Sequence, residues 1–99
     1  MSLDEATAAV REKIGDDCGI ASRMKIDLGE DGVIFIDGTA TPNVVSNDDE
    51  PADVTITVSL SDYLDILSGA QNAQMAFMAG KLKLEGDMGI AMRFAQLMG

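Results

Sequence analysis

Val54-Thr55-Ile56-Thr57-Val58-Ser59-Leu60 alternates without a break. Val54, Ile56, Val58 and Leu60 fall on one side of an extended chain; Thr55, Thr57 and Ser59 fall on the other. β-Branched residues in period two predict a strand with one buried face. Ser61 then stands where a helix cap is needed, ahead of a helix carrying Leu64 and Leu67 flanked by Tyr63 and Ile66. Gly69 stops that helix. A strand running directly into a helix points to a sheet with helices laid against it.

Working upstream, residues 22–28 alternate in the same way, with Met24, Ile26 and Leu28 opposed to Arg23, Lys25 and Asp27. Gly29-Glu30-Asp31-Gly32 is turn chemistry, and residues 33–37 read as the return strand of a hairpin. Residues 38–41 either continue that strand or turn. Val44-Val45-Ser46 reads as a third strand and residues 47–51 as a polar, acidic loop. Residues 2–14 read as a first helix with Leu3, Ala6, Val10 and Ile14 on one face, Ser2 as its cap and Gly15 as its end. Downstream, Asn72 caps a short helix through Met78, ended by Gly80. Residues 81–85 form a last strand with Leu82 and Leu84 inward. Gly86 turns, and Asp87 caps a final helix to Met98. The expected fold class is α+β, a single domain over residues 1–99. Its order is helix, three strands, crossover, strand, two helices, strand, helix, with a mostly antiparallel sheet covered on one face.

Charge is spread unevenly along this chain of net charge −10. Residues 1–53 hold 13 acids and 4 bases, whereas residues 54–99 hold 4 acids and 3 bases. The second half is therefore nearly neutral, and it is also more apolar. An acidic chain with no basic stripe repels phosphate backbones, which argues against nucleic acid and against charge-driven docking to anionic membrane. No run approaches the roughly 18 apolar residues of a membrane span. No apolar leader is visible, because Arg11, Glu12 and Lys13 follow the first Ala-rich stretch. The single cysteine, Cys18, makes no intrachain disulfide and suits a reducing compartment. The expected location is cytoplasmic.

Catalytic chemistry is poorly provided for. There is no histidine, so the usual general base near neutral pH and the commonest zinc ligand are both missing. Cys18 has no imidazole to activate it and reads as a small buried thiol. Asp27, Asp31 and Gly32 match positions one, five and six of a twelve-residue calcium loop. Gly38, however, stands where the bidentate glutamate is required, so the reading is a hairpin turn. Asp48, Asp49 and Glu50 read as a solvated loop. No cofactor is implied, and a non-catalytic protein is expected.

The final helix is apolar over too much of its surface. At 100° per residue, Met88, Ala91, Met92, Ala95 and Met98 form one stripe, and Ile90, Phe94 and Leu97 form a second beside it. Together they span roughly 220°, against roughly 100° for an ordinary surface helix. One stripe packs on the sheet, and Ile90, Phe94 and Leu97 form the surplus. In residues 73–79 only Gln74 is polar. Three coverings remain open: the core itself, a partner chain, or a ligand held between helices and sheet. Methionine is flexible, so Met75, Met78, Met88, Met92 and Met98 suit ligands of varied shape.

Asn72-Ala73-Gln74-Met75-Ala76-Phe77-Met78-Ala79-Gly80-Lys81-Leu82-Lys83-Leu84-Glu85-Gly86-Asp87-Met88-Gly89-Ile90-Ala91-Met92 strongly resembles the signature of the sterol carrier protein type 2 family. The match is close over residues 52–98 and topological before them. The resemblance implies a five-stranded sheet whose helices enclose an apolar tunnel for fatty acids, acyl-CoA, phospholipids or sterols. By position, Gln74, Phe77 and Met78 match the stretch beside the tunnel, and Ile90, Phe94 and Leu97 match the covering helix. With Phe35, Leu64 and Leu67 they make up the candidate ligand-binding set. The short chain looks like bacterial stand-alone members, so an acyl ligand is expected ahead of a sterol. Lys81, Lys83 and Arg93 are the cations available to a head group. The alternative is an interaction module in which the same helices close a homodimer or dock on a lipid-metabolising enzyme.

Overall fold

A computed structural model describes residues 3–15 and 19–98. Ser2 and Cys18, a cap and a thiol in the sequence reading, lie outside them. The chain runs α1 (Leu3–Ile14), β1 (Arg23–Asp27), a 3-10 turn (Gly29–Asp31), β2 (Val33–Asp37), β3 (Val44–Ser46) and β4 (Val54–Val58). It continues through α2 (Leu60–Ser68), α3 (Ala73–Met78), β5 (Leu82–Gly86) and α4 (Met88–Met98). Element for element this is the order expected.

The strands form one sheet in the order β3-β2-β1-β4-β5. β1 and β2 pair as an antiparallel hairpin, with Met24 opposite Ile36 and Ile26 opposite Ile34. β2–β3 and β4–β5 are also antiparallel, whereas β1 and β4 are parallel, Met24 beside Val54 and Ile26 beside Ile56. The sheet is thus mixed, with the antiparallel pairs in the majority. The parallel pair requires the chain to return from the end of β3 to the start of β4. Residues 47–53 make that crossover.

Alternation sorts the two faces. Met24, Ile26, Ile34, Ile36, Val54, Ile56, Val58 and Leu82 point to the helices and join Val10, Ile14, Tyr63, Ile66, Ala76, Ala91 and Phe94 in one buried cluster. The other face carries Arg23, Lys25, Asp37, Thr55, Thr57, Lys83 and Glu85. Two hydrogen bonds tie α1 to β3 and the residue after it, and a third ties that residue to β2. Arg11 Nη2 donates to Val45 O at 3.1 Å. Asn47 Nδ2 donates to Thr7 Oγ1 and to Val33 O, both at 3.0 Å.

One boundary differs from expectation. The sequence reading extended the strand to Leu60 and capped the helix with Ser61; the cap is Ser59, and Leu60 is already helical. Ser59 Oγ accepts the Asp62 N–H at 3.1 Å and donates to the Asp62 carboxylate at 3.0 Å. That reciprocal pair satisfies an otherwise orphaned helix donor, and Ser61 has no equivalent partner three residues on. At the far end of β5, Gly86 has φ +105°, and a Cβ there would collide with the Asp53 carbonyl oxygen. Only glycine permits this close turn into α4.

Candidate functional site

The two C-terminal helices are set by side-chain caps. Asn72 Oδ1 accepts the N–H groups of Gln74 at 2.8 Å and Met75 at 3.3 Å. Asp87 Oδ1 accepts those of Gly89 at 2.9 Å and Ile90 at 3.2 Å. Both helices then pack against β5, the edge strand, and α4 also packs against β4. Capping fixes their rotation, and rotation decides which apolar residues are buried.

On α4 the buried arc is centred on Ala91 and Phe94, both 0% exposed. Ile90 is partly buried beside them. Met88 and Met92 are exposed. The expectation that Ile90, Phe94 and Leu97 form the surplus stripe therefore fails at Phe94, which is core together with Ala91 of the other stripe, while Ile90 is half covered and Met88 and Met92 are exposed. The physical reason is area. A rigid phenyl ring buries more apolar surface at lower entropic cost than a flexible methionine, so the helix turns the ring inward. The Leu97 side chain lies outside the described ones.

On α3 only Ala76 is buried. Gln74 is exposed, Phe77 is nearly half exposed, and Met75 and Met78 are 70% and 78% exposed. The structure thus places two kinds of apolar residue in the C-terminal half. Met75, Phe77 and Met78 on α3 and Met88 and Met92 on α4 are exposed. Leu64, Leu67, Leu84 and Ile90 are half-covered, and each packs against the buried cluster. Met75, Met88 and Met92 were absent from the candidate ligand-binding set. Seven methionines in 99 residues were the signal for them.

Phe35 belongs to neither group. It sits opposite Lys25, one residue out of phase with Ile34 and Ile36, and so on the face away from the helices. It is nonetheless only 4% exposed. Glu50 and Pro51 of the crossover border it, in a surface hollow of about 130 Å³ shared with Arg23 and Asp37. A second hollow of about 250 Å³ lies between Arg23, Thr39 and residues 51–53. Both hollows are on this rim of charged side chains rather than between sheet and helices. Lys25 Nζ holds the crossover down through Asp49 at 2.8 Å.

Among the described residues, electrostatics mark no reactive group. Burial pushes the Tyr63 hydroxyl well above its ordinary value. The Thr39 hydroxyl and backbone N–H both donate to Asp37, and with nearby Arg23 they hold its carboxyl below the usual 3.8. Lys81, Lys83 and Arg93 are exposed. Among the described residues, no cluster of three acidic or thiol side chains could hold a metal. No helix among them is long and apolar enough to cross a membrane.

A single mixed sheet with helices over one face and an apolar C-terminal half defines a class of small α+β domain. The chain belongs to the SCP-2 sterol transfer family, whose model matches residues 6–99. The match thus reaches well upstream of the stretch that carries the resemblance. Over 55 residues the chain is 47% identical to sterol carrier protein 2 of Homo sapiens, covering 56% of this chain and 10% of that protein. Over 75 residues it is 49% identical to peroxisomal multifunctional enzyme A of Dictyostelium discoideum, covering 76% of this chain and 15% of the enzyme. The chain therefore spans a small part of these relatives. Among solved structures, the sterol carrier protein domain 2 of Helicoverpa armigera superposes with a TM-score of 0.73 at 27% identity, covering 97% of this chain and 84% of that one. Palmitated SCP2L2 from Aedes aegypti shares the fold, with a TM-score of 0.69 at 24% identity and coverage of 99% and 95%.

Proposed function

We propose that this domain binds a fatty acyl lipid beneath its C-terminal helices and does no chemistry on it. The ligand class is fatty acid, fatty acyl-CoA or phospholipid, ahead of sterol. The observation that carries the reading is the half-covered state of Leu64, Leu67, Leu84 and Ile90, each packed on the buried cluster. These side chains already touch the core, yet water reaches them. An acyl chain inserted over them would remove that surface from water at about 25 cal/mol per Å². The palmitated relative of the same fold supports an acyl ligand. The lack of any histidine in the sequence supports passive binding.

Entry of the chain would part α3 and α4 from the sheet, with flexible Met75, Met78, Met88 and Met92 closing over it. A carboxylate or phosphate head group would stay at the rim, within the reach of Lys81 or Arg93; Lys83 alternates to the other face of β5. Discrimination between chain lengths should be weak, since one methylene is worth about 1–3 kcal/mol even in a tuned pocket. Phe35, on the opposite face, takes no part in this reading.

The test is native mass spectrometry of freshly purified protein, then organic extraction and lipid identification. The expected result is a monomer carrying one acyl lipid. A ligand-free protein that also ignores added palmitate would overturn the proposal. A ligand-free dimer would favour the interaction module.

A further inference from the structure

We infer that two copies of this chain pair edge to edge through β5, antiparallel across a two-fold axis, joining their sheets into one. The first observation is an open edge. Asp87 N–H donates to Asp53 O at 3.1 Å, and in that register Lys83 and Glu85 turn their backbone groups to β4. The N–H and C=O of Leu82, Leu84 and Gly86 therefore point away from the sheet. Among the described residues, no hydrogen bond of the fold reaches them. Such a row is a template for another strand. The opposite edge is covered, since α1 packs against β3 and Arg11 Nη2 donates to Val45 O.

The second observation names the occupant. Residues 81–87 read Lys-Leu-Lys-Leu-Glu-Gly-Asp, and their charges sum to zero. Laid antiparallel on its own copy about Leu84, this stretch sets Lys81 opposite Asp87 and Lys83 opposite Glu85, each pair made twice by symmetry. The outward groups of Leu84 bond to those of its copy, and the groups of Leu82 bond to those of Gly86. The half-covered Leu84 side chain meets its counterpart on the helix side. Lys83 and Glu85 meet on the other face, where both are exposed. Moving the axis by one residue sets Lys83 against Lys83 or Glu85 against Glu85, and like charges directly opposite are destabilising. Charge thus selects the register that the hydrogen bonds allow.

Two chains of net charge −10 repel at long range, but only two of the 17 acids, Glu85 and Asp87, follow residue 65, together with Lys81, Lys83 and Arg93. At 0.15 M salt the screening length is about 8 Å, which damps the rest. One short strand pair is a small interface, and small interfaces are weak. The chain is therefore a monomer at micromolar concentration and pairs near about 1 mM. Acyl cargo is measured on the micromolar monomer, so pairing and carriage stand or fall separately.

The experiment is sedimentation of the full chain in salt of about 0.15 M, with amide exchange by NMR, from about 10 µM to 1 mM protein. The expected result is a monomer–dimer equilibrium in which the Leu84 amide gains protection with concentration. The Lys83 and Glu85 amides, bonded to β4, should be protected throughout. Lys83→Glu and Glu85→Lys each set like charges opposite and should weaken pairing about tenfold, although they move the net charge in opposite directions. An equimolar mixture of the two variants restores every opposite-charge pair and should dimerise like the parent. A chain that stays monomeric at the top of the range overturns the inference. So does a dimer that both variants leave intact, or one in which the Leu84 amide gains no protection.

Discussion

Phe94 and Met92 stand two residues apart on α4 and meet opposite surroundings. Phe94 is sealed in the cluster with Ala91, Met24 and Ile56, while Met92 is 63% exposed. Phe94→Ala should therefore cost about 3–5 kcal/mol in urea unfolding, from lost transfer energy and the cavity left behind. Met92→Gln should stay within about 0.5 kcal/mol. Equal effects would mean that α4 is rotated from the orientation described. A second prediction concerns Asp37. Its folded carboxyl titrates below the ordinary 3.8 because the Thr39 hydroxyl and N–H donate to it. A depressed acid contributes stability above its unfolded pKa, and that contribution is lost as pH falls through the folded value. Thr39→Val removes the hydroxyl donor and should move the Asp37 titration upward, read by carboxyl NMR. An unmoved titration would assign the shift to the backbone donor and Arg23.

At the scale of elements, the crossover of residues 47–53 explains most of what the sequence left open. Strands that alternate, β1 and β4 above all, were legible because period-two patterns are local. The parallel β1–β4 pair was not, because it depends on a loop with no apolar pattern that must travel back along the sheet. β2 did hold a clue: Val33-Ile34-Phe35-Ile36 does not alternate, and a strand apolar on both sides is covered on both sides. The cover over Phe35 is the crossover. The true cap of α2 was legible as well, since Ser59 has Asp62 three residues on and Ser61 has Leu64. In the candidate site, the half-covered positions Leu64, Leu67 and Ile90 were named in advance. Phe94 was misplaced, because a helical wheel shows that an arc is too wide without showing which part turns inward. A prediction separates the two sheet faces. Phe35→Ala should destabilise by about 3 kcal/mol or more. The folded fraction should still take up palmitate like the parent, as Phe35 lies across the sheet from the helices. Selective loss of palmitate at unchanged stability would place the ligand on the crossover side.

At the scale of the whole molecule, like charge is the dominant long-range force. Residues 1–72 hold fifteen acids and four bases, in a chain whose radius of gyration is 12.0 Å. The screening length is about 10 Å at 0.1 M salt, so added salt acts on just these separations. Screening also weakens ion pairs such as Arg23–Asp37 at 3.7 Å and Lys25–Asp49 at 2.8 Å. Both pairs are at the surface, where such contacts are worth about 0–1 kcal/mol each. The summed repulsion should therefore win, and Tm should rise between about 0.01 and 0.5 M sodium chloride. With no histidine to titrate, Tm should also stay nearly flat between about pH 5.5 and 7.5. Scanning calorimetry over that grid of salt and pH reads both effects at once. A Tm that falls with salt would give the ion pairs the larger share, and Lys25→Met should then abolish the fall by freeing Asp49 and the crossover it holds.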